Sequence, residues 1–248
     1  MMPSVRSLFF VLLAAVSVLA APVLKERLRS VNVCGVRFKT GDVRDKAPLN
    51  SVYSLENKSD VNKETKSKVS ASHGLSHHRT FLISDMKNDV KKDYAVDHVV
   101  EVQVLQKVAD SSKLCGVLNK MHDADKSKTQ KSMLQPAFDT LNSSPNLFFL
   151  TKKVQSRKKT VTQKVLKGKK QDSKDMDKAV GNYLKQVGSS GTTVASLLDE
   201  ELADIISIAK GVASKASKDK ADKLNKAIGA YQSSTTVSSM WSKELLAL

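Results

Sequence analysis

The chain has 248 residues and carries 41 Lys+Arg against 25 Asp+Glu, a formal charge of +16, and it is long enough for one domain with a sizeable core or two small ones. Hydrophobic residues at 40% and aromatics at 5% exclude wholesale disorder and imply a core that is mostly aliphatic. Most of the positive charge is Lys, whose compact hydrated head suits general attraction to polyanions better than bidentate base reading.

Residues 1–20 read as a secretion signal. Arg6 supplies the positive flank, Leu8 to Leu19 is an apolar run, and Val18-Leu19-Ala20 is a cleavage signature. The mature chain is then expected to be soluble and extracellular, with delivery into a host cell as a further destination. No later apolar run approaches the roughly 20 residues of a membrane span. Two cysteines follow, Cys34 and Cys115, and in an oxidising pathway an even count favours one disulfide between them. Asn57-Lys58-Ser59 and Asn142-Ser143-Ser144 are acceptor sequons for glycans in a eukaryotic host, the second followed by Pro145.

Residues 21–92 form an N-terminal segment with a polar loop. Val31, Val33, Val36 and Phe38 read as a strand around Cys34, and Thr40-Gly41-Asp42 as a turn. The Ser-, Lys- and Asn-rich stretch from Asn57 reads as a long exposed loop or a frayed polar helix. His73, His77 and His78 fall in Gly/Ser-rich surroundings, which favour an exposed loop over a metal site.

In residues 93–170, the run Tyr94 to Leu105 carries both a period of two and a helical period, so its type stays open. It embeds Asp97 beside His98, and Glu101 three positions on reads more readily as a surface acid. Leu147 to Leu150 is too short for anything but a strand or one helical turn. After it, Lys152 to Lys170 contains nine Lys or Arg and no acid. Each phosphate such a run neutralised would add about 0.9 to the salt slope of duplex binding. Residues 171–248 read as helical: Val194, Leu197, Leu198, Leu202, Ile205, Ile206, Ala209 and Val212 form one stripe, with Thr192 or Thr193 as N-cap. A weaker stripe follows through Leu224, Ile228 and Tyr231, and Trp241, Leu245 and Leu246 mark a terminal packing segment.

Asp97-His98, then Asn146-Leu147-Phe148-Phe149-Leu150, then a Lys-rich turn, resembles the ββα-metal, or His-Me finger, core of HNH-type nucleases. It is also similar to secreted fungal proteins with a degenerate core of that kind. The resemblance implies an α+β fold, with a small ββα-metal-like core and a largely helical C-terminal part. It implies a metal-dependent, low-specificity endonuclease in which His98 is general base and Asn146 orients it. Asp97 and Gln155 would hold a divalent cation, Mg²⁺ above others, and Lys152, Lys153, Arg157, Lys158 and Lys159 would lie on DNA or RNA phosphates. The family has Asn or His where this chain has Gln155 and Ser156. The alternative is a non-catalytic secreted effector or binding protein on the same scaffold, its partner a nucleic acid, another polyanion or a host protein.

Overall fold

The computed structural model describes residues 31–38, 52–57, 60–67, 94–169 and 175–246. The N-terminal apolar run, the Thr40-Gly41-Asp42 turn, Lys170 and His73, His77 and His78 lie outside them. The architecture is α+β: two small sheets and a larger set of helices.

Val31–Val33 (β1) and Val36–Phe38 (β2) pair antiparallel, so the expected single strand around Cys34 is a hairpin. Cys34 and Gly35 turn the chain with φ of 49° and 81°, the doubly left-handed geometry that matches the twist of two-residue hairpins. Val33 and Phe38 are buried, and Cys34 bonds Cys115 as a disulfide across a separation of 81 residues.

The second sheet has the order β4-β3-β6-β5. Val52–Asn57 (β3) and Asp60–Ser67 (β4) are antiparallel, β3 runs parallel to Leu147–Thr151 (β6), and β6 is antiparallel to Tyr94–His98 (β5). The polar stretch after Asn57 therefore contains a strand rather than a loop or helix. Between β5 and β6 lie three helices, Val102–Ser111 (α1), Leu114–Ala124 (α2) and Gln130–Leu141 (α3). The ambiguous run divides at His98: strand before it, helix from Val102. Val102, Val104, Leu105 and Val108 are all buried in α1, so burial overrides the strand preference of three β-branched residues.

Lys152–Leu166 (α4) follows β6 without a loop. Asp175–Ala213 (α5) is the spine of the molecule, 39 residues long, and it packs against α2, α3, α4, β4 and the two last helices, Lys218–Ala230 (α6) and Val237–Leu246 (α7). The stripe from Val194 to Ala209 faces the core, apart from Leu197, which is exposed. Thr192 and Thr193 are not an N-cap. The helix starts upstream of them, and their hydroxyls bond back to the carbonyls of Gly188 and Ser189 at 2.9 and 3.1 Å, as mid-helix threonines do. Trp241 is buried, as a packing segment requires, and Asp199 of α5 accepts the Val237 and Ser238 amides at 2.6 and 3.0 Å, capping α7 from across the core.

Candidate functional site

The β5–β6 pair sets Asp97 opposite Phe148 and His98 opposite Leu147. Beyond His98 the chain must bend to enter α1, and Asn146 holds that bend. Its Oδ1 accepts the Val100 amide at 2.8 Å, while its Nδ2 donates to the Val100 and Leu141 carbonyls at 3.1 and 2.8 Å. Its own carbonyl accepts the Val99 amide at 2.9 Å. Asn146 is fully buried, and these bonds use its side-chain acceptor and both donor hydrogens. The expectation that Asn146 orients His98 is corrected by this geometry: its amide clamps a backbone bend.

Asp97 lies beneath α4. Its Oδ2 accepts from the Tyr183 hydroxyl of α5 at 2.9 Å and stands 2.9 Å from Lys158 Nζ of α4. Lys158 is fully buried, donates to the His98 carbonyl at 2.6 Å and lies 3.6 Å from Glu101 Oε1. Thr162, one turn further along α4, donates to the same Glu101 oxygen at 3.4 Å, and Gln103 donates to Oε2 at 3.1 Å. Glu101 is thus no surface acid; its side chain is 13% exposed. Burial raises its carboxyl above the usual 4.5, against the opposing pull of Lys158.

His98 is partly buried, and its Nε2 donates to Asn142 Oδ1 at 3.0 Å in the tautomer with the proton on Nε2. Asn142, the C-cap of α3 and the acceptor of the second sequon, therefore does the orienting expected of Asn146. Burial pushes the His98 imidazole below its usual 6.5, a shift that the Asn142 bond and the Asp97 charge oppose. Gln155 also approaches β5, but its Nε2 donates to the Val96 carbonyl at 2.7 Å. A buried ammonium stands where a cation bound to Asp97 would have to compete, and Gln155 is turned to the strand backbone. The donor set does not fit a divalent cation held between Asp97 and Gln155. Among the described residues no group of three or more His, Cys, Asp or Glu is arranged to hold a metal ion.

The basic run divides by helical period. Val154, Lys158, Val161 and Thr162 form the buried stripe of α4, while Lys152 and Lys153 are exposed in its first turn and Lys167 and Lys169 beyond its end. Arg157, Lys159 and Lys164 are half-buried at its flanks. Lys158 is therefore corrected from phosphate contact to core ion pair, because it falls four residues from both Val154 and Thr162. Tyr183 and Thr162 were not anticipated; the same i, i+4 spacing marks Thr162, whereas Tyr183 meets Asp97 across 86 residues of sequence. No helix among the described residues is long and apolar enough to cross a membrane.

No family model, curated protein or solved structure matches this chain.

Proposed function

We propose that the protein is a secreted, basic, non-catalytic binding protein that holds the phosphate backbone of nucleic acid along α4. The observation that supports this most directly is the composition of that helix and its exit. From Lys152 to Lys169 there is no carboxylate, and the acids packed beneath, Asp97 and Glu101, lie 2.9 and 3.6 Å from the buried Lys158. Lys152 and Lys153 also occupy the first helical turn with no acid among them. Cations there oppose the helix macrodipole at a cost of about 0.3–1 kcal/mol each, which a bound anion would offset. The commitment of Asp97, Asn146 and Gln155 to internal bonds favours binding over hydrolysis. The Cys34–Cys115 disulfide is compatible with an oxidising compartment.

Purified protein is incubated with plasmid DNA and with RNA, with Mg²⁺ or with EDTA, beside His98→Ala. The expected result is binding to both that weakens steeply with salt, without cleavage. Metal-dependent cleavage lost in His98→Ala would reinstate the endonuclease. Failure to bind either nucleic acid at low salt, with retention of another polyanion such as heparin, would move the partner to that class.

A further inference from the structure

The cluster of Lys158, Asp97, Glu101 and Tyr183 has more chemistry than an ion pair needs. An amine and a carboxyl touch in a place from which water is excluded: Lys158 is 0% and Asp97 2% exposed. A second carboxyl, Glu101, stands 3.6 Å from the amine, and a phenol donates to the Asp97 oxygen that the amine contacts. We propose that Lys158 and Asp97 condense into an intramolecular isopeptide bond that ties α4 to β5, with Glu101 moving the proton and Tyr183 holding the carbonyl oxygen.

A proton passed from the ammonium to Asp97 Oδ1 by way of Glu101 turns ammonium and carboxylate into amine and carboxylic acid, with Oδ2 as the carbonyl oxygen, and a low-dielectric surround costs that neutral pair less than separated ions. The Lys158 Nζ lone pair then attacks Asp97 Cγ. The C=O electron pair moves onto Oδ2, where the Tyr183 hydroxyl donates at 2.9 Å and stabilises the developing oxyanion as a preorganised donor. On collapse the C=O bond re-forms at Oδ2 and the Cγ–Oδ1 bond breaks. Oδ1 leaves as water, with its own proton and one given up by the amine through Glu101. One amide forms, one water is released, and nothing is oxidised or reduced. The hydrogen left on Nζ keeps its acceptor, the His98 carbonyl 2.6 Å away.

Reactants held in contact by a packed core have effective molarities of roughly 10⁵–10⁸ M, which offsets the weak electrophilicity of a carboxyl group. Water exclusion also opposes the reverse hydrolysis. Glu101 suits the relay because its Oε1 stands 3.6 Å from the amine and burial raises its carboxyl above the ordinary range, so that it takes a proton from nitrogen and hands it to the leaving oxygen. The proposal is independent of what α4 binds on its outer face.

The decisive measurement is the intact mass of the folded full chain after reduction of its disulfide, followed by tryptic mapping. The expected mass is lower than that of the sequence by one water, and the digest contains one branched peptide joining the segments of Asp97 and Lys158, uncut at Lys158. Lys158→Met has the full mass of its own sequence. Glu101→Gln, confirmed as folded by circular dichroism, is expected to have its full mass as well; if it does not fold, the wild-type branched peptide decides alone. Full mass and ordinary cleavage after Lys158, persisting in wild-type protein kept folded for days at 37 °C, overturn the proposal and leave a buried ion pair. A Glu101→Gln chain that cross-links as fast as wild type removes Glu101 from the reaction.

Discussion

Asn146 grips Val100 twice: Oδ1 takes its amide at 2.8 Å and Nδ2 gives to its carbonyl at 3.1 Å. The pair closes the exit of β5 and fixes where α1 begins. Asn146→Ala leaves a buried N–H and two carbonyls short of partners, and with about 1–3 kcal/mol per unsatisfied group the expected loss is at least about 3 kcal/mol. Asn146→Asp retains an acceptor but sets a carboxylate oxygen against the Val100 and Leu141 carbonyls. It is expected to be as damaging at neutral pH and milder in acid, where the carboxyl regains a donor. Urea unfolding of both variants checks this. A residue that merely oriented His98 would leave the midpoint nearly unchanged.

Gly191 is the point where α5 lets Trp241 in. A Cβ built there comes within 2.6 Å of Trp241 Cε2 and 2.9 Å of Val99 Cγ1, and neither neighbour is a flexible tip. Helix propensity alone would make Gly191→Ala stabilising by about 0.8–1 kcal/mol. Overpacking wins here, at about 1–3 kcal/mol or more, so the variant is expected to melt lower and to show perturbed Trp241 fluorescence. Gly211, with nothing within 4 Å of its Cβ position, is the control: Gly211→Ala should melt higher.

The contrast between these positions shows what the residue order carries. The Val194–Ala209 stripe was legible because one long period of 3.6 ran through a spine helix, although Leu197 falls off its buried face. Leu147 to Leu150 was legible only as a strand or a single helical turn, and pairing with β5 and β3 makes it a strand. The Tyr94–Leu105 run was not, since the device that divides it, the Asn146 clamp, acts on the bend from 46 positions away. For the candidate site, local order located a genuine polar cluster at Asp97-His98 but misassigned its members. Charge put Lys158 on the surface, whereas its spacing from Val154 and Thr162 put it in the core, and packing decided for spacing. Tyr183 has no local signature at all, because only the docking of α5 brings its hydroxyl to Asp97.

Two titrating groups in the cluster act on stability in opposite directions. The folded-state pKa of His98 is lowered by burial, so the unfolded chain binds the proton more tightly; stability is fully present above about 6.5 and is lost as pH falls toward the lowered value. Glu101 is raised above 4.5 by burial; its contribution is fully present below that value and is lost as pH rises through the higher folded one. His98→Gln is therefore expected to flatten the loss of stability below pH 6.5 without altering the Glu101 limb. Unfolding free energies from pH 4 to 8 test the sign, and a variant whose acid slope equals that of wild type would assign the slope elsewhere.

The Cys34–Cys115 disulfide ties the β1–β2 hairpin to α2, two elements 81 residues apart in sequence. On the chain-entropy account, closing a loop of that length restricts the unfolded chain by about 4–5 kcal/mol. Replacing both cysteines by serine is expected to lower stability by about 2–5 kcal/mol. It should leave polyanion binding at saturating protein concentration intact, since α4 contacts neither cysteine's element as a principal partner. Thermal unfolding with and without reductant gives the first quantity, and a filter-binding isotherm at fixed salt the second.

Lys152 and Lys153 separate the fold from the proposed binding more cleanly than any residue of the buried cluster. Both are exposed at the start of α4, so reversing their charge breaks no buried contact. Lys152→Glu with Lys153→Glu also places acids where the helix macrodipole favours them, a gain of about 0.3–1 kcal/mol each. The double variant is expected to melt at or slightly above the wild-type temperature while losing duplex affinity. If both lysines lie on phosphates, the slope of log affinity against log salt falls by about 0.9 for each contact removed. Thermal melts and binding isotherms at several salt concentrations test both halves. Unchanged affinity with an unchanged slope would take α4 out of the interface, whereas a drop in stability would show that these lysines are held by the fold rather than offered to a partner.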